Sequence, residues 1–353
     1  MKKLLFILFL LFMGCVKDPD PPTQPTIDYG EHGAYIMCEG IWGQGNASLA
    51  RYDMVSGKIN NKYFWEQNEK NELGDLANDI IRLDSTFLVV MSSAKEIVEI
   101  SIDECKLIRK LQLDGNRLPR EIALFDNETA YMTDLYAHSI LKFNYLSFEV
   151  LNERIETGPA PEGIAVGNGK VLVCNSGYGD YLADRPKAGT VSVIDGDTEV
   201  RLLADLTNIT EIVVNKETNR FYAAYLNLPS LEDSLGGIVE YDLIGFEEIR
   251  RWRLNPLAIN LDTASNHLYY INNSLFRLDL NNFFAKPEMV IKNHDTTNHW
   301  YGFAINPIDG NYWICDAKNY AINGELLIYD RLNTASPVAR KPLGVNPSKI
   351  IFY

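Results

Sequence analysis

Basic residues, histidine and cysteine are all in short supply in this sequence. Lys and Arg number 33 against 47 Asp and Glu, for a formal charge of −14. Displacing phosphate counterions takes clustered Lys/Arg, and so does adsorption to an anionic membrane, so neither nucleic acid nor such a surface is an expected partner. The five histidines, His32, His138, His267, His294 and His299, fall at no metal-ligand spacing. The five cysteines form no CxxC pair, and Cys38, Cys174 and Cys315 lie in apolar strand-like runs that suit buried thiols acting as small hydrophobes. There is no nucleophile elbow, P-loop or dinucleotide fingerprint. Beyond residue 30 no long amphipathic helical pattern occurs, which excludes a helical bundle or solenoid.

One marked apolar run is present, Leu4 to Met13. It is too short for a bilayer, which takes roughly 20 residues, but suits the core of a signal peptide behind Lys2 and Lys3. The Gly14-Cys15 pair that follows resembles a bacterial lipobox. That resemblance implies a signal peptide over residues 1–14 and lipidation of Cys15 as the first mature residue. Residues 15–30 carry Pro19, Pro21, Pro22 and Pro25, a semi-rigid tether. Lys17-Asp18 resembles the signal that sends lipoproteins of Bacteroides and its relatives to the cell surface. The expected location is therefore the outer membrane, exposed to the outside and held by a lipid anchor. Without Lys2 and Lys3 the formal charge becomes −16.

The rest, residues 31–353, is periodic. A strand-like stretch ends in Asp or Asn at Asp53, Asp103, Asn144, Asp195, Asp242, Asp279 and Asp330, about 46 residues apart on average. A turn residue precedes a β run in Pro119-Arg120-Glu121-Ile122, Pro161-Glu162-Gly163-Ile164 and Pro256-Leu257-Ala258-Ile259. This period belongs to four-stranded propeller blades, and seven copies predict seven blades in a single all-β domain. The stretch from Asn346 to Phe352 reads as an innermost strand with no following partners, and residues 34–66 as a blade lacking its first strand. Pairing the two would close the ring and remove its open edge.

In a propeller, loops entering each first strand and loops joining second to third strands share one face, here called the top. The second-to-third loops are uneven: Glu39–Asn46, Asn175–Pro186, Asn227–Ser230 and Asp316–Tyr320 are long. Loops longer than closure requires concentrate function. Candidate ligand contacts are Trp42, Tyr136, Asn175, Tyr178, Tyr181, Asn227, Asp316 and Tyr320, with Trp65, Arg117, His299 and Trp300 on entering loops. Flat aromatic surface with fixed polar groups suits a large planar or saccharide ligand. Asp79, Glu121, Glu162 and Glu211 stand near equivalent positions at the starts of first strands. Crowded there, they would raise one another's pKa or hold a hard cation such as Ca²⁺, although a hydrated polar channel explains them more simply.

The turn-Pro strand, the second strand ending at Asn175-Ser176 and the third at Thr190–Asp195 resemble the YVTN-type propeller repeat. Together with the lipidated Cys and Pro-rich tether, the chain is similar to the Bacteroides surface lipoproteins of the BtuG family. That resemblance implies capture of a vitamin B12-type corrinoid, with no resident cofactor and no catalysis, and delivery to an outer-membrane TonB-dependent transporter of BtuB type. Two other classes stay open: a metal-dependent, lactonase-like hydrolase using the channel carboxylates, and a propeller that binds glycan or protein.

Overall fold

The computed structural model describes residues 33–204, 206–230 and 236–353. The expected signal peptide, lipidated Cys15 and tether lie outside the described residues. The chain from Glu31 onward is one compact unit. It contains seven four-stranded antiparallel sheets arranged as blades around a channel.

Sequence patterns follow position within a blade. Second strands are near-continuously apolar and buried after their first residue, as in Thr86–Met91 (TFLVVM) and Lys170–Asn175 (KVLVCN), because neighbouring blades cover both faces. Fourth strands form the outer edge and carry charged side chains, as in Leu107–Gln112 (LIRKLQ) and Glu248–Arg253 (EIRRWR). Charged outer strands blunt edges that would otherwise template pairing between molecules. The cores lie between blades rather than within them: Leu172, Cys174 and Val191 of the fourth blade pack with Ile212, Phe221 and Ala223 of the fifth. Cys38, Cys105, Cys174 and Cys315 are free and buried in these cores.

The repeating Asp/Asn has a local cause. Asp53 Oδ1 accepts from the backbone N–H of Val55, Asn144 Oδ1 from Leu146, Asp242 Oδ1 from Ile244 and Asp330 Oδ1 from Leu332. Each is an Asx turn that reverses the chain between third and fourth strands.

The ring closes within one blade. Pro347–Phe352 pairs antiparallel with Gly33–Cys38, which pairs in turn with Ser48–Asp53 and then Lys58–Asn60. The C-terminal Tyr353 seals the joint: its ring lies 5.1 Å from that of Tyr35, and its hydroxyl accepts from Arg51 Nε at 2.5 Å. Closure by the last strand is as the sequence led us to expect.

Candidate functional site

The seven inner strands begin with one pattern: two channel-facing residues before an apolar anchor. The anchors are Ile80, Ile122, Ile164, Ile212, Ile259, Phe303 and Ile350. In six of these strands the pairing with the second strand slips at this point, between Ala77 and Asp79, Pro119 and Ile122, Pro161 and Ile164, Ile209 and Glu211, Trp300 and Gly302, and Pro347 and Lys349. A bulge of this kind re-aims side chains.

Two layers of side chains result. The residues just before the anchors are Asp79, Glu121, Gly163, Glu211, Ala258, Gly302 and Lys349. One position earlier stand Asn78, Arg120, Glu162, Thr210, Leu257, Tyr301 and Ser348. Glu162 therefore does not share a layer with Asp79, Glu121 and Glu211. It sits in the upper layer and binds Arg120 Nε at 2.7 Å, and Arg120 also donates to Asn78 Oδ1.

In the lower layer, Lys349 Nζ lies 3.4 Å from Asp79 Oδ1 and 3.8 Å from Glu121 Oε1. Burial pulls its ammonium pKa down, yet Asp79, Glu121 and Glu211 hold it well above the usual lysine value. Asp79 Oδ2 also accepts from the Ile122 backbone N–H at 3.1 Å, tying the second blade to the third. Burial is the main cause that pushes Glu121 up to about 8, and it raises Glu211 as well. Among the described residues no three His, Cys, Asp or Glu side chains converge as metal ligands. The ring that the sequence offered as a cation site is met instead by an ammonium of the chain's own.

Above these layers, Glu39 leaves the end of the strand Gly33–Cys38 and points into the funnel. Burial pushes it up to about 7, against the pull of Arg120 and a hydrogen bond from the Tyr301 hydroxyl to Oε2 at 3.2 Å. Tyr301 stands edge-on to Tyr320, with ring centroids 5.5 Å apart. The funnel has a volume of about 480 Å³ and is lined by Glu39, Arg120, Glu121, Tyr301, Tyr320 and Lys349, among others. Chemically it offers two carboxyl groups that change charge near neutrality, two fixed cations and a tyrosine hydroxyl.

Around the funnel the structure divides the expected rim residues. Trp42 (52% exposed), Tyr136 (44%), Tyr178 (55%), Tyr181 (78%) and Tyr320 (39%) are open on second-to-third loops, and these loops leave their blades at one end. Asn227 is exposed on the same face. Asn175 and Asp316 are not available. Asn175 is fully buried, accepting from the Gly158 N–H and donating to Thr190 Oγ1 and Ser192 Oγ. Asp316 is fully buried and takes the backbone N–H and the Nζ of Lys318. Arg117 is committed to Asp134 Oδ2 and the Glu153 carbonyl. Trp300 is buried against Tyr329, with centroids 6.0 Å apart, so it belongs to the core between the sixth and seventh blades. His299 bonds through Nδ1 to the Lys318 carbonyl at 2.5 Å and lies beside Tyr320. Trp65 lies on the short helix Tyr63–Gln67, away from the funnel lining.

Glu39, Arg120, Tyr301 and Lys349 are the site residues that sequence reasoning passed over. For the last three, their count back from the anchoring Ile or Phe is the signal that would have found them.

No protein-family model matches the chain, and no curated protein matches it. Solved structures do resemble it. A quinonprotein alcohol dehydrogenase-like protein from Bacteroides thetaiotaomicron is 13% identical at a TM-score of 0.68, over 92% of this chain and 78% of that one. The periplasmic gluconolactonase of Pseudomonas aeruginosa is 12% identical at a TM-score of 0.67, over 90% and 99%. A functionally unknown protein from Desulfotomaculum acetoxidans is 14% identical at a TM-score of 0.64, over 92% and 99%. At such identities the likeness is one of fold, and the chain is a seven-bladed β-propeller.

Proposed function

We propose that this propeller is a capture protein, taking a large flat ligand of corrinoid type across its top face and passing it to an outer-membrane transporter. The carrying observation is the rim: five aromatic side chains, each at least 39% exposed, stand on loops of four blades around one polar funnel. Exposed aromatics at that density offer broad contact at low entropic cost, because each has only two side-chain torsions. The aromatic edges meet the ligand's faces while Asn227 and the funnel residues meet its peripheral amides. No bond is made or broken. The location proposed with this function is the cell surface, through a lipid anchor at Cys15.

Calorimetric titration of the purified chain with cyanocobalamin tests the reading. Heat of binding and retained colour are expected, with affinity lowered at least about tenfold, or about 1.4 kcal/mol, in Tyr181→Ala and Trp42→Ala. No heat and no retained colour overturn it.

A second reading, lactone hydrolysis, has its own support. Glu39 and Glu121 titrate near 7 and 8, where a general acid or base works best, and one of the similar folds is a gluconolactonase. On that reading Glu121→Gln abolishes turnover of a sugar lactone.

A further inference from the structure

We infer that the seam between the seventh and first blades holds a second, smaller binding site, for a single uncharged sugar ring. A cavity of about 240 Å³ opens there, sharing no lining residue with the funnel. Pockets for drug-sized ligands run to roughly 300–1,000 Å³, so this one is too small for a corrinoid and suits one ring.

Its walls are of two kinds. Leu49, Phe64, Leu73, Leu343 and Val345 make an apolar floor, with the Trp65 indole beside it. Asn46, Ser48, Asn61 and Asn323 supply amide and hydroxyl groups, which both donate and accept. Lys62 and Glu72 add one charge of each sign, leaving the lining formally neutral. The Lys62 and Lys70 ammoniums lie 5.4 and 5.7 Å from the Trp65 ring centroid, which steadies the indole. An apolar floor under a ring of mixed donors and acceptors matches a pyranose, whose C–H face is apolar and whose rim is hydroxyl.

The polar atoms are also unspent. Asn61 Oδ1 is buried without a hydrogen-bond partner, and Ser48 Oγ has only the weak Cys38 thiol. A buried acceptor left unmade costs about 1–3 kcal/mol, so Asn61, a lining residue, carries an acceptor that still lacks a donor. A sugar hydroxyl supplies one.

The test uses the full chain and saturation-transfer NMR with four probes: the methyl α-pyranosides of glucose, mannose and galactose, and N-acetylglucosamine. Transfer to at least one sugar is expected, together with a change in tryptophan fluorescence. The affinity should fall at least about tenfold in Asn61→Leu, which keeps the side chain's shape and removes its acceptor. Trp65→Phe should lose most of the fluorescence response, and an unchanged urea midpoint for Asn61→Leu guards against a folding artefact in that variant. No transfer to any of the four sugars, as expected of a cavity that holds only water, overturns the inference. So does transfer that Asn61→Leu leaves unchanged. Cyanocobalamin binding is unaffected by Asn61→Leu, so failure here and failure of corrinoid capture are separate outcomes.

Discussion

At the scale of single residues, the funnel works by compensation. Five carboxyl groups, from Glu39, Asp79, Glu121, Glu162 and Glu211, face two cations, Arg120 and Lys349. Burial keeps Glu39 protonated into the neutral range against the pull of Arg120 and Lys349, and it does the same for Glu121, where Glu211, Asp79 and Glu162 add to it. The sign for stability follows. An unfolded Glu ionises near 4.5, but folded Glu39 holds its proton until about 7, so the fold loses stability as pH rises from 4.5 through 7. Glu39→Gln removes that loss. We expect the variant to be the more stable by at most about 3 kcal/mol at pH 8, with a gap that shrinks steadily toward pH 5, read from urea midpoints. A gap that widens toward acid would contradict the assigned direction.

Lys349 gives the complementary case. Lys349→Met leaves Asp79 and Glu121 without their cation. A fully buried pair broken this way costs about 3–5 kcal/mol, but 36% of the Lys349 side chain is open to channel water. A loss of about 1–3 kcal/mol at pH 7 is expected, shrinking in acid as the carboxylates take up protons. Thermal midpoints across pH check it.

Residue chemistry was legible where its partners are close in sequence and hidden where they are not. The Asp/Asn of each repeat could be counted because its job is a turn completed two residues later. Asn175 and Asp316 look the same in sequence, yet they end second strands, where their polar groups turn inward to hold the loop. Lys349 was read only as part of a closing strand. Its alignment with Asp79 and Glu121 exists only once strands 270 and 228 residues apart are brought to one axis.

At the scale of elements, the inner strands converge so closely that some positions admit no side chain. A Cβ on Gly302 would lie 1.7 Å from the Ser348 carbonyl oxygen on the neighbouring inner strand. Backbone cannot swing aside as a long side chain would. Gly302→Ala should therefore cost at least about 3 kcal/mol, at the upper end for overpacking, and should open the seam between the seventh and first blades. Urea unfolding measures the cost. Second strands were easy to find because burial on both faces makes them apolar throughout. The five-residue helix Tyr63–Gln67 has too few turns to leave a periodic trace, and it went unnoticed.

At the scale of the whole molecule, one blade is built from both ends of the described chain, so every blade depends on the joint. Deleting residues 347–353 removes Lys349 from the channel, Tyr353 from its stack on Tyr35, and the partner of the strand Gly33–Cys38. The exposed edge is apolar (GAYIMC), a template for association. The truncated protein should elute as soluble aggregate on size-exclusion chromatography, and the intact chain should not.

The same joint sets how the ring bears force. The chain enters the fold at Gly33, along a strand flanked on both sides, with six residue pairs to Ser48–Asp53 and five to Pro347–Phe352. A pull from the N-terminal side runs parallel to that strand and perpendicular to its hydrogen bonds. Both ladders are therefore loaded in shear and must yield together, instead of unzipping one bond at a time. A domain held by its N-terminal segment in flowing liquid would be gripped at a strand with a ladder on each side.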